Sequence, residues 1–238
     1  MHLSFRPLPF FSLVTAIMFS ILVSLGVWQV HRLHWKLGLI AQVNRNLALP
    51  PVSLAAAIKM GPDANYRHVA LDGRFENSKE AYVYGLAPGG TPVYHVVTPF
   101  VPDAGPILLV DRGIVPIALR DPATRKAGQV EGEQHVVGVW RTPDPPGPFT
   151  PAPDPGRRTW FSRDVRSIAA ADHFWLAVPV IVEADATPNP GGWPKGGQTV
   201  VTFRNEHLQY AITWFGLAAA LIGVYLAFHI SKARLNLR

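Results

Sequence analysis

Nine histidines have the widest chemical range in this 238-residue chain: His2, His31, His34, His68, His95, His135, His173, His207 and His229. None forms an HExxH or closely spaced HxH pattern, so no zinc-hydrolase signature is present. There is no cysteine, which excludes disulfides, thiolate metal sites and cysteine nucleophiles. Ser162 and Asp164 do not sit in a nucleophile elbow, and the Gly89-Gly90 and Gly191-Gly192 pairs read as turns rather than phosphate loops.

The informative histidines adjoin apolar runs. His31 and His34 close the first such run, and His207 opens the second in RNEHLQYAITWF. At helical spacing His207, Tyr210 and Trp214 share a face, with Ala211 beside them. An imidazole above two large rings suits a planar amphiphile, and haem iron takes histidine as an axial ligand. In that reading His207 is the metal ligand, while Arg32, Lys36 and Arg204 neutralise the propionates. The same residue types also serve as ordinary interface anchors, with Arg204 and Glu206 forming a solvated turn.

Two elements must position these groups. Pro7 to His31 and Leu208 to Ser231 contain no Lys, Arg, Asp or Glu. Phe10 to Val30 and Tyr210 to Phe228 are each long enough to cross a bilayer core of roughly 30 Å. The first run lacks small residues for signal-peptide cleavage and continues into Trp28, Gln29, Arg32, Trp35 and Lys36, so it predicts an uncleaved helix. In the second, Gly216, Ala220 and Gly223 mark a side along which a partner helix is expected to approach closely. Basic residues Lys232, Arg234 and Arg238 predict a cytoplasmic tail, hence both ends inside and the intervening region outside.

Four of the 22 basic residues, Arg6, Lys232, Arg234 and Arg238, flank the apolar runs, which leaves 18 basic against 16 acidic residues between the runs. The net charge of +6 therefore reflects membrane flanks, and nucleic-acid binding is excluded as a reading. Short Val- and Tyr-rich segments with period-two patterning predict strands at 67–75, 80–85, 94–100, 107–111, 133–140, 178–183 and 200–204. A short helix is expected within Leu47–Met60, and Ser162–Ala171 reads as a helix that Ser162 could cap. Between Pro143 and Pro155 seven of thirteen residues are proline, a rigid surface loop with polyproline character around Phe149. The fold class expected is thus a membrane protein whose two transmembrane helices flank a mainly β extramembrane domain, an antiparallel sheet or small barrel with short helices. The expected order is an N-terminus at 1–9, a span at 10–30, a domain at 31–209, a span at 210–229 and a basic tail at 230–238.

Several blocks resemble a known family. They are LGVWQVHRLHWK (25–36), YRHVALDGRF (66–75), HVVTPF (95–100), LLVDRGIVP (108–116), GVWRTPDPPGPFTPAPDP (138–155), TWFSRD (159–164) and GGQTVVTFRNEHLQYAITWFGLA (196–218). In this order and extent the chain resembles the Surfeit-locus-protein-one (Shy-one) family of cytochrome c oxidase assembly factors. It departs from the family pattern at Val93, where a glycine usually stands. The resemblance implies a non-enzymatic assembly chaperone that helps mature subunit I of an aa3-type haem-copper oxidase by delivering haem a. It implies haem a contact at His207, with Trp28 and Arg32 of the first span as the other half of the site. Implied partners are subunit I, haem a synthase, other assembly factors and the lipid bilayer; the implied place is a bacterial inner membrane with the domain periplasmic. A cofactor-free scaffold that stabilises a subunit I intermediate is the alternative.

Overall fold

The computed structural model describes residues 3–143, 145–199, 201, 203–232 and 234–237. In chain order these form β1 (Leu3–Phe5), α1 (Pro9–Ala48), β2 (Val52–Ser53), α2 (Leu54–Met60), β3 (His68–Phe75), β4 (Ala81–Leu86), β5 (Pro92–Pro102) and β6 (Leu108–Pro116). There follow β7 (Gln134–Arg141), β8 (Thr159–Trp160), α3 (Val165–Ala171), β9 (Ile181–Ala184), α4 (His207–Ser231) and β10 (Leu235–Leu237). The chain divides into a helical unit, residues 1–42 with 202–238, and a β unit, Val43–Val201.

The β unit is a closed barrel. β3 pairs antiparallel with β7, β7 with β9, and β6 with β5. β9 lies parallel to β6, and the end of β5 returns to β3 through Gly73↔Pro102, Arg74↔Val101 and Phe75↔Phe100. Five strands thereby lose their free edges, which is how small β domains avoid templating aggregation. The parallel pair needs a long connection, and residues 117–180 supply it. β4 adds to the first half of β5, and β8 adds to β4.

Alternation along β6 explains the two cores. Leu108 and Val110 point into the barrel with Val69, Leu71, Phe100, Trp140 and Val182. Leu109 points outward, into a second layer with Val97, Trp160, Ile168 and Ile181 beneath α3. Buried on both faces, β6 runs to Pro116, five residues past its expected end at Asp111. Gly113 permits this path: its φ is 113°, and a Cβ there would collide with the Lys195 carbonyl. Val93, the departure from the family pattern, is buried and pairs regularly with Gly85. The irregularity falls just after it, as a register shift between His95 and Val97.

Three expectations are corrected. Asp164, not Ser162, caps α3, accepting from the Arg166 and Ser167 backbone N–H groups at 3.2 Å each; Ser162 lies two residues before the cap position, outside the one place from which a side chain meets those donors. The strand expected at 200–204 is absent at Val201, Phe203 and Arg204, while Val200 and Thr202 lie outside the described residues. Gly216, Ala220 and Gly223 are exposed and form no close-packed face, a Cβ at either glycine meeting nothing within 4 Å. The packed face of α4 instead carries Ala211 and Ala218, both buried and seven residues apart.

Candidate helix-pair site

Within the helical unit α1 and α4 run antiparallel. Ser12 Oγ lies 2.6 Å from Tyr225 Oη at one end, and Gln29 Oε1 lies 2.8 Å from His207 Nδ1 at the other. Between them Gly26 lies under the Phe215 ring, so close that a Cβ would meet that ring at 2.7 Å. On α1 the buried positions Thr15, Gly26 and Gln29 fall on one stripe. Phe11 extends that stripe, stacking on Tyr225 with ring centroids 5.6 Å apart. Both helices are long and apolar enough to cross a membrane, at 40 and 25 residues.

His207 is the first residue of α4 and is half-buried. Its Nδ1 meets Gln29, a residue that the sequence reading passed over as part of the exit of the first span. Trp214 is half-buried on the same side, whereas Tyr210 is 50 % exposed, about 60° round the helix from His207. Trp28 is 56 % exposed on the stripe of α1 next to Gln29. Arg32 follows one turn later, its guanidinium 3.9 Å from the Trp35 ring centroid. Lys36 extends over Phe203 at 5.4 Å. Arg204 is tied to Glu206 through Nε–Oε1 at 2.6 Å. That hydrogen bond raises Arg204 and lowers Glu206 from their ordinary values, so both stay charged. The pair is exposed and available to solvent or ligand.

These residues fit a haem in their donor chemistry. One imidazole nitrogen is occupied by Gln29, and among the described residues no hydrogen bond occupies the other, Nε2. Exposed aromatic faces from both helices flank that imidazole, and cationic groups lie within a turn or two. Among the described residues no group of three His, Asp or Glu converges as a metal-ion site.

The β unit holds two buried ionic sets that residue spacing did not reveal. On the outward face of β6 and β9, Asp111 accepts from Arg163 Nε at 3.2 Å and lies 2.9 Å from His95 Nδ1. Glu183 sits 3.6 Å from Arg163 and 3.7 Å from Arg141, and accepts from Thr199 Oγ1 at 2.6 Å. Burial opposes ionisation of Asp111, but the charge and hydrogen bond of His95, then Arg163 and the Gly113 N–H, hold its carboxyl below the usual range. Pro143, Pro145 and Pro146 of the proline-rich loop close over this cluster around a cavity of about 210 Å³. The second set is Glu80 with Arg125 (2.5 Å), Arg112 (3.5 Å) and the Tyr82 hydroxyl (3.1 Å). Burial, opposed by the Glu80 charge, lowers Arg112 to about 10. Burial first, and then the Glu80 charge, push the Tyr82 phenol well above its ordinary value. In the first set Asp111 and Glu183 are balanced by Arg163 and Arg141, and in the second Glu80 lies between two guanidiniums, so each buried carboxylate keeps a cationic partner.

Comparison with known proteins places the chain. A family model described as the SURF1 family matches residues 16–219. Surfeit locus protein 1 of Takifugu rubripes is 38 % identical over 226 residues, covering 88 % of this chain and 93 % of that protein. Surfeit locus protein 1 of Homo sapiens is 40 % identical over 212 residues, covering 82 % and 70 %. A SURF1-like protein of Monosiga brevicollis is 36 % identical over 214 residues, covering 84 % and 80 %. The match takes in the whole barrel, most of α1 and the first half of α4, and the chain belongs to the SURF1 family.

Proposed function

We propose that this protein is a membrane-held assembly chaperone for an aa3-type haem-copper cytochrome c oxidase, and that it carries haem a to subunit I as cargo. The observation that supports this most is His207, whose imidazole has one nitrogen bonded to Gln29 and the other unoccupied among exposed rings. In this reading His207 ligates the haem iron, Trp28, Tyr210 and Trp214 cover the macrocycle, and Arg32 and Arg204 meet its propionates. The protein acts as a binder and not as an enzyme. Haem a synthase is the natural donor partner and subunit I the acceptor. The chain sits in a bacterial inner membrane, both ends cytoplasmic and the β unit periplasmic, in keeping with the basic tail.

The test is the visible absorption spectrum of the full chain, purified in detergent after co-expression with the haem a synthesis enzymes. A haem a spectrum that His207→Ala abolishes or shifts is the expected outcome. No bound haem in either protein, alongside intact co-purification of subunit I, would replace this reading with that of a cofactor-free scaffold.

A further inference from the structure

Gln29 is 9 % exposed, in a stripe of α1 that otherwise buries small and apolar groups. An amide so placed is costly unless its polar atoms are satisfied. Its oxygen is satisfied across the helix pair by His207, at 2.8 Å. A side-chain amide oxygen only accepts, so the proton of this hydrogen bond belongs to His207 Nδ1. In the neutral ring Nε2 then carries the lone pair. A histidine side chain in water prefers the opposite tautomer, with the proton on Nε2.

We infer that Gln29 is the positioning residue of this site, holding the His207 imidazole in the Nδ1–H tautomer with the Nε2 lone pair presented to an incoming metal centre. Three consequences follow from the bond. The ring is held against rotation, because turning it would strand both the amide oxygen and Nδ1. The proton that would block ligation is kept on the far nitrogen before any ligand arrives. Donation from Nδ1 to an acceptor also raises the donor strength of Nε2, as outer-shell partners of metal-bound histidines do. The value of this arrangement to the cell rests on the haem-handling reading above; the tautomer itself does not.

The full chain in lipid nanodiscs, free of haem and carrying 15N-labelled histidine, provides the test, with His207→Ala assigning the signals. At pH 8 the wild type is expected to show a protonated Nδ1 and an unprotonated Nε2 at His207. Gln29→Leu should reverse the pattern, and Gln29→Glu, which keeps an acceptor oxygen, should restore it. In parallel, haemin titrated into the three proteins should bind about 10–100-fold more weakly to Gln29→Leu, with affinity regained in Gln29→Glu. A wild type protonated at Nε2, or a pattern indifferent to Gln29→Leu, overturns the inference. If the tautomer depends on Gln29 while no haem a is captured in cells, the cargo reading fails and the positioning role stands. If haem a binds through His207 without regard to Gln29, the positioning role fails alone.

Discussion

Asp111 is 3 % exposed, yet it keeps its charge because three donors converge on it. Its folded-state carboxyl titrates below the value of about 3.9 found in an unfolded chain. The stabilisation is therefore fully present above the unfolded value and is lost as pH falls through the lower, folded one. Asp111→Asn, which leaves His95 without its anion and Arg163 with Glu183 alone, should cost about 2 kcal/mol near neutrality. That is a discounted value because Arg163 is partly exposed, and it corresponds to roughly 4–8 °C in the melting temperature for a unit of this size. Thermal unfolding followed by tryptophan fluorescence, run from pH 7 down to pH 3, checks both parts. The gap between wild type and variant should close on the acid side; a gap that persists or widens there would contradict the charge assignment.

The contact between α1 and α4 turns on one residue. Gly26 lies against the Phe215 ring, so any side chain there must displace it. Gly26→Leu should part the helices around that point, whereas Gly216→Leu and Gly223→Leu, with open space at their Cβ positions, should not. The chain has no cysteine, so Ser12→Cys with Tyr225→Cys can be joined by a short bis-maleimide without background. Cross-linking yield should fall several-fold with Gly26→Leu and hold with the other two. Equal yields in all three would show that the pair is not packed through Gly26.

At this scale the sequence was readable where one rule governed. Period two located β3, β4, β5 and β7 to within about two residues, because one face of each meets a core. It failed at β6, where Arg112 and Gly113 interrupt the pattern although both faces are covered, and at Val201, Phe203 and Arg204, which belong to no strand. The small residues of α4 were visible, but which side would be covered depended on α1, and there the tight contact uses Gly26 instead. His207 stood out as the opening of an apolar run. Gln29 did not, although it is the one amide in the uncharged stretch from Pro7 to His31, a signal that pointed to an interhelical partner. The Asp111–Arg163–Glu183 cluster joins strands distant in sequence, and only the barrel closure brings it together.

For the whole molecule, the antiparallel helix pair sets where the ends go. Ser12 meets Tyr225 and Phe11 meets Tyr225 and Phe228, so the start of α1 and the end of α4 emerge together. A helix pair that crosses a membrane in this arrangement brings the segments before α1 and after α4 to one face, which the orientation proposed above makes the inner one. Protease added to spheroplasts should digest the β unit while epitope tags at both ends stay protected until the membrane is opened. Tags cleaved in intact spheroplasts would reverse the orientation.

The hydrogen bond between Gln29 and His207 joins residues 178 positions apart. A ribosome adding about 5–20 residues per second releases the second partner on the order of ten seconds after the first. Throughout that interval Gln29 sits in the bilayer without its imidazole, and any chain cut short before residue 207 never acquires the pair. The contact is thus completed late, out of two helices far apart in the sequence. The pair therefore forms only in a chain that has been made into α4 and has packed that helix on α1.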